Sequence, residues 1–226
     1  MTDIPIVNVI LVALALLAFL VNLAFGIFIF RRRKILVNKL FALLMFSFCW
    51  WNIMEFVVRV ADAPHYAQLA SRLAFIALSF IPSIAFAFAL ALDNKTPSRK
   101  QAALLIIAPL IFVALDLGGM LVARVMLNKN FDTFMIVTGS AFPYFAAYLT
   151  VFLAFVIYRL IKFYEKCENE LVKKRMRYLI LGTLITSLVV FITDLLSPML
   201  GLGLPPLGSF STLFLTSLTY YSVRGR

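Results

Sequence analysis

The chain has 226 residues, 63% of them hydrophobic and 14% charged, with a mean hydropathy of +1.01. A soluble domain is about 45–50% apolar, so this composition excludes one and specifies an integral membrane protein. The net charge of +11 would point a soluble chain toward nucleic acid; here the basic residues mark a cytoplasmic face against anionic lipid heads, so the bilayer is the expected partner and nucleic acid is not.

In chain order, a first apolar span covers 4–30, between the acidic start MTDIPIV and the basic block RRRK, Arg31 to Lys34. A secretory signal has the reverse polarity, so this is a retained membrane helix. The second span, 35–60, leads into a short loop at 61–65, and the third, 67–92, contains Pro82, an expected kink. A fourth is expected at 101–125, and the loop LNKNFDTF joins it to a fifth that starts near 138 and continues past Lys162. The sixth is expected at 177–200, and the uncharged GLGLPPLG leads to a seventh at 206–223. Between the fifth and sixth, FYEKCENELVKKRMRY reads as two helix ends reaching into the cytoplasm, with Glu170 spaced to support Lys173 and Lys174. It is a solvated hairpin or a surface that meets a partner. Cys49 and Cys167 lie at different depths and form no disulfide. His65 is the only histidine, and no metal or cofactor is expected.

Loop charge fixes the orientation. Seventeen of the 21 basic residues follow the first, third, fifth and seventh spans, leaving Arg59, Arg72, Arg124 and Lys129 for the other side. The expected fold is therefore all-α, a seven-helix transmembrane bundle with its N-terminus outside and its C-terminus cytoplasmic. No long loop offers room for a second domain, so 1–226 reads as a single unit.

The second span carries an unusual stripe. Asn38, Asn52, Glu55 and Arg59 fall within roughly 100° of one helix face, which must look toward other helices or a wet cavity. Helix rise places Glu55 roughly 28 Å, Asp116 roughly 22 Å and Asp194 roughly 24 Å from the inner ends of their spans. All three acids thus fall in the outer third, where Arg72 opens the third span and Arg59 and Arg124 close the second and fourth. Either these groups form ion pairs that fix bundle geometry, or they line an outward pocket for a small polar or amphipathic ligand. In the pocket reading the candidates are Trp51, Asn52, Glu55, Arg59, Arg72, Asp116, Tyr144, Tyr148 and Asp194, with Trp50 a further wall. Deeper, Asn22 and Asn38 are placed for an amide pair. Thr183, Ser187 and Asp194 share a face of the sixth span, as do Ser209, Thr212, Thr216 and Thr219 of the seventh, so both helices are expected to pack inward.

Asn38-Lys39-Leu40-Phe41 leading to Trp51 and Glu55, Arg72 with Pro82 and Phe86, Gly139 and Tyr148, and Gly182 with Asp194 and Pro205 to Gly208 together form a diffuse signature. It resembles the N-terminal seven-helix sensor region of membrane histidine kinases, also found on diguanylate cyclases. Ser79-Phe80-Ile81 departs from that pattern just before the third-span proline. The resemblance implies a receptor domain of a prokaryotic plasma membrane that passes a signal through its last helices to a cytoplasmic or membrane partner, as a homodimer in kinase sensors. The sequence ends at Arg226 without a kinase, cyclase or PAS-like segment, so output is expected from a separate partner or from a protein of which this is the sensor.

Other classes remain open at this stage. A retinal protein needs a lysine inside the last span, and 206–223 holds none. A transporter would favour an inverted repeat or broken helices, for which Pro82 alone speaks. An intramembrane enzyme would have to use Asp116 and Asp194, but LDLGG and TDLLS carry no protease motif, so no catalytic residue is assigned. A structural subunit binding through its polar seams is the remaining alternative.

Overall fold

A computed structural model describes residues 6–31, 35–128 and 133–223, with side chains to Leu218. The basic residues Arg32 to Lys34, Lys129, Arg224 and Arg226 and the side chain of Thr219 lie outside the described residues. The helices are α1 (Ile6–Arg31), α2 (Leu36–Val60), α3 (Pro64–Leu92), α4 (Arg99–Leu117), α5 (Phe142–Lys166), α6 (Glu170–Val190), α7 (Ser197–Leu200) and α8 (Gly208–Val223). A π turn, Phe191–Leu196, joins α6 to α7 without a break. Six described helices, counting Glu170–Leu200 as one, are long and apolar enough to cross a membrane. The shorter α8 packs on α6, α1 and α2.

Packing follows side-chain size. On α1 the buried residues are Asn8, Leu11, Ala15, Ala18, Asn22, Gly26 and Ile29, a stripe repeating every three or four positions. Small residues in it let α2 approach, and a Cβ at Gly26 would stand 3.0 Å from the Phe46 ring. The opposite face of α1 exposes Val9, Leu16 and Leu20, and α4 exposes Leu104, Ile107 and Ile111, surfaces that acyl chains cover. Helix α4 is peripheral: Pro109 and Asp116 are its buried residues. Its start is fixed by a reciprocal cap, with the Gln101 amide N–H donating to the Ser98 hydroxyl at 3.3 Å and the Ser98 N–H to Gln101 Oε1 at 3.0 Å.

The principal correction concerns 118–141. The fourth span ends at Leu117 instead of 125, and the fifth begins at Phe142 instead of near 138. Between them lies an antiparallel hairpin, β1 (Val122–Asn128) and β2 (Thr133–Thr138), with Val125 opposite Ile136 and a register irregularity at Val122/Arg124. Arg124 therefore closes no helix and sits exposed on β1. Gly118-Gly119 is the stop signal: Gly119 takes φ +74°, a left-handed turn after the helix. Beyond it β-branched and long apolar residues prefer a strand, although their hydropathy continues the run of α4 unbroken. The return depends on Gly139, whose N–H donates to Leu121 O at 2.8 Å. A Cβ there would lie 2.2 Å from the Met120 carbonyl oxygen. The hairpin covers one end of the bundle, with Val125 packed against Val58, Ala67 and Ala70.

At the other end α5 runs to Lys166 and α6 starts at Glu170, earlier than the expected 177 because the Asn169 side chain caps it, accepting from Leu171 N at 2.9 Å. Ion pairs Lys162–Glu165 (3.2 Å) and Glu170–Lys173 (3.8 Å) support these exposed ends. Pro82 is accommodated inside a continuous α3. The proline ring and its missing N–H disturb the preceding turn, and the Tyr148 hydroxyl donates to Ser79 O there at 2.7 Å.

Candidate functional site

Two polar regions are built from the stripe on α2. The first is a seam with α1 and α8. Asn22 donates to Thr212 Oγ1 at 3.0 Å and accepts from the Thr216 hydroxyl; Asn52 donates to Thr212 Oγ1 at 3.4 Å. All four residues are fully buried. The expected Asn22–Asn38 pair is replaced by this three-helix network, because the hydroxyls of α8 reach Asn22 in the core. Asn38 is half-buried near the start of α2.

The second region is a cavity of about 70 Å³ between α2, α3, α5, the π turn and the hairpin. Its walls include Trp51 and Glu55 of α2, Ser71 and Phe75 of α3, Phe134 and Ile136 of β2, and Thr193 and Asp194 of the π turn. It has room for a few water molecules. Glu55 and Arg59 approach to 3.5 Å, and Arg59 Nη2 also donates to Pro206 O at 2.7 Å. Asp194 Oδ2 accepts from Gly208 N at 2.9 Å and touches the Thr193 hydroxyl. Leu207 N donates to Thr193 Oγ1 at 3.2 Å. A carboxylate at the first N–H of α8 complements the helix dipole, so Asp194 both caps α8 and faces the cavity. Ser71 is 4% exposed, lines the cavity, and its hydroxyl has no hydrogen-bond partner.

The candidates therefore separate. Trp51, Glu55 and Asp194 meet at the cavity, and Arg59 stands beside them. Asn52 turns to the seam. Asp116 and Arg72 lie apart from the cavity at the root of the hairpin, within electrostatic reach of each other, and Arg72 Nη2 donates to Val122 O at 3.4 Å. Asp116 is fully buried near the end of α4, facing the backbone of Val122. Tyr148 is the latch beside Pro82 and stacks on Phe112 at 4.7 Å. Tyr144 is 73% exposed on the outer face of α5, and Trp50, also exposed, donates to Leu73 O at 2.8 Å. Ser71, Thr193 and the hairpin walls were not among the candidates. Ser71 had a signal, its place beside Arg72 on the inward face of α3, whereas the hairpin's part depends on a turn that hydropathy conceals.

Comparison with protein families matches residues 14–224 to the N-terminal 7TM region of histidine kinase. The chain belongs to that family. No curated relative matches it. As a seven-helix histidine-kinase sensor region it is a multi-pass membrane domain, and such a domain is not itself catalytic. The family match supplies the seventh span, which on this chain is α8.

Proposed function

We propose that the chain is a single sensory unit, N-terminus outside and C-terminus cytoplasmic in a prokaryotic plasma membrane, that receives its signal in the cavity under the hairpin. The observation that carries this reading is the junction of cavity and output helix. Asp194 lines the cavity and holds the first N–H of α8, while Arg59 and Thr193 hold the two residues before it. A molecule that engages Asp194 competes for the group that positions α8.

The π turn supports the same reading. A wide turn inside a helix is stable only in a particular environment, and conversion to α geometry rotates everything beyond it. Asp194 sits within that turn. Helices α6 and α8 are tied below it: the Thr186 hydroxyl donates to Ser211 O at 2.9 Å, and Gly182 lets Leu215 and Leu218 approach. A shift at the π turn is therefore carried along both helices toward the cytoplasm, where a kinase-type partner reads it. Two arrangements with different affinity for the signal suffice.

The test needs no ligand. The full chain is joined through α8 to a cytoplasmic histidine-kinase module and autophosphorylation is measured in membranes. Gly208→Ala places a Cβ 2.7 Å from both Asp194 Oδ2 and the Trp51 ring, so it should change basal output severalfold at equal expression. Leu104→Ala, on the lipid face of α4, should leave output unchanged. Equal output from wild type, Gly208→Ala and Glu55→Gln would defeat the proposal.

A further inference from the structure

A second cavity, also about 70 Å³, lies next to the first. The two share Trp51, Leu78, Leu149 and Val190 as walls. The second runs toward Pro82 and is bounded by residues such as Phe48, Ala85, Phe88 and Leu153. Of the three hydroxyl residues at its edge, Thr183, Thr186 and Ser187, the first donates to Leu179 O and the second to Ser211 O, each at 2.9 Å. The remaining walls are almost all apolar side chains.

The polar cavity has the opposite character. It offers acceptors, the carboxyls of Glu55 and Asp194 and the unpartnered hydroxyl of Ser71, against one guanidinium, Arg59. Arg59 Nη2 is engaged by Pro206 O and Glu55, while its Nε and Nη1 are buried without a partner and leave the two carboxyls to outnumber the one guanidinium. In a site walled by apolar side chains, a surplus of carboxyl groups favours a cation that donates hydrogen bonds. Each cavity is small, about 70 Å³, which suits one chain better than a two-tailed lipid.

Resting on the sensory reading of the polar cavity, we propose that the signal is a single-chain amphipath with a cationic amine head. The head sits between Glu55 and Asp194, and the tail passes Trp51 into the apolar cavity. Its entry has a mechanical consequence. The Trp51 ring packs against Gly208 at the start of α8, so a tail that displaces the ring moves the helix that Asp194 holds. Head and tail act on the same end of α8.

The chain has two tryptophans, so the Trp50→Phe protein reports from Trp51 alone. In nanodiscs it is titrated with linear alkylamines from butylamine to decylamine and with alkyl sulfates of matching length. A Trp51→Phe protein, reporting from lipid-facing Trp50, corrects for partitioning into the bilayer. Amines should give a saturable Trp51 signal and sulfates should not, and Glu55→Gln or Asp194→Asn should weaken amine binding about tenfold, the loss of one charge-assisted contact. Ala85→Leu, or Leu153→Phe if the first variant folds poorly, fills the apolar cavity. Either should leave butylamine affinity unchanged and lower decylamine affinity about tenfold, as expected for two displaced methylenes.

Sulfates binding as well as amines would overturn the cationic head. Amine binding that these fillings leave untouched at every length would overturn the tail. Neither result bears on the kinase-fusion test, which uses no ligand, so the ligand class can fail while the sensory cavity stands.

Discussion

The seam between α1, α2 and α8 and the cavity between α2, α3 and α5 are built from the same stripe of α2, yet they treat polar groups in opposite ways. In the seam Asn22 is matched on both sides of its amide and Thr212 and Thr216 reach partners, although Asn52 donates to Thr212 and leaves its own carbonyl oxygen without one. In the cavity Ser71 has no partner, Glu55 holds Arg59 only at 3.5 Å, and space remains. Inside a membrane an unmatched polar group is a standing cost, so the network around Asn22 holds helices together, whereas the open groups of the cavity suit the ligand proposed above. On the proposed reading, stability and recognition occupy neighbouring faces of one helix.

Four substitutions break or sharpen that contrast. The largest effect belongs to the lid: Gly139→Ala drives a Cβ into the Met120 carbonyl and should cost about 3 kcal/mol or more, read as a lowered unfolding temperature in detergent. Next is the seam, where Asn22→Ala strands the hydroxyl of Thr216 and should cost about 1–2 kcal/mol. A double-mutant cycle with Thr216→Val should show coupling between the two positions. If Asn22→Ala proves neutral, the seam does not hold the bundle and the contrast collapses. Tyr148→Phe removes the bond to Ser79 O beside Pro82 and should cost about 1 kcal/mol in the same assay. The smallest change is expected at the cavity wall, where Ser71→Ala deletes a hydroxyl without a partner and should stay within about 0.5 kcal/mol. The same variant should weaken the saturable amine signal of Trp51. A Ser71→Ala protein as damaged as Asn22→Ala would mean that this hydroxyl is structural.

Much of the bundle was legible because the bilayer imposes a simple rule on sequence. Spans must be long and apolar, their polar residues must turn inward, and basic loops must alternate in side; these constraints are local, so α1, α2 and α3 could be read from hydropathy and the inward faces of α6 and α8 from their hydroxyl spacing. The capped start of α6 at Asn169 and the hairpin after Gly118-Gly119 were harder to read, since a membrane-length apolar run looks alike whether it continues as helix or turns into strand.

Sequence by itself determined that this is a multi-pass helical membrane protein and that α2 carries an inward polar stripe that includes Glu55. Only the tertiary structure decided which partners those groups took. It sent Asn52 to the seam and Glu55 to the cavity, placed Asp116 with Arg72 at the hairpin root, gave Tyr148 to the proline turn and left Tyr144 facing outward. The physical reason is that burial and depth follow from composition along one helix, whereas pairing depends on which neighbouring helix comes within hydrogen-bond reach, and a single chain's periodicity carries no record of that neighbour.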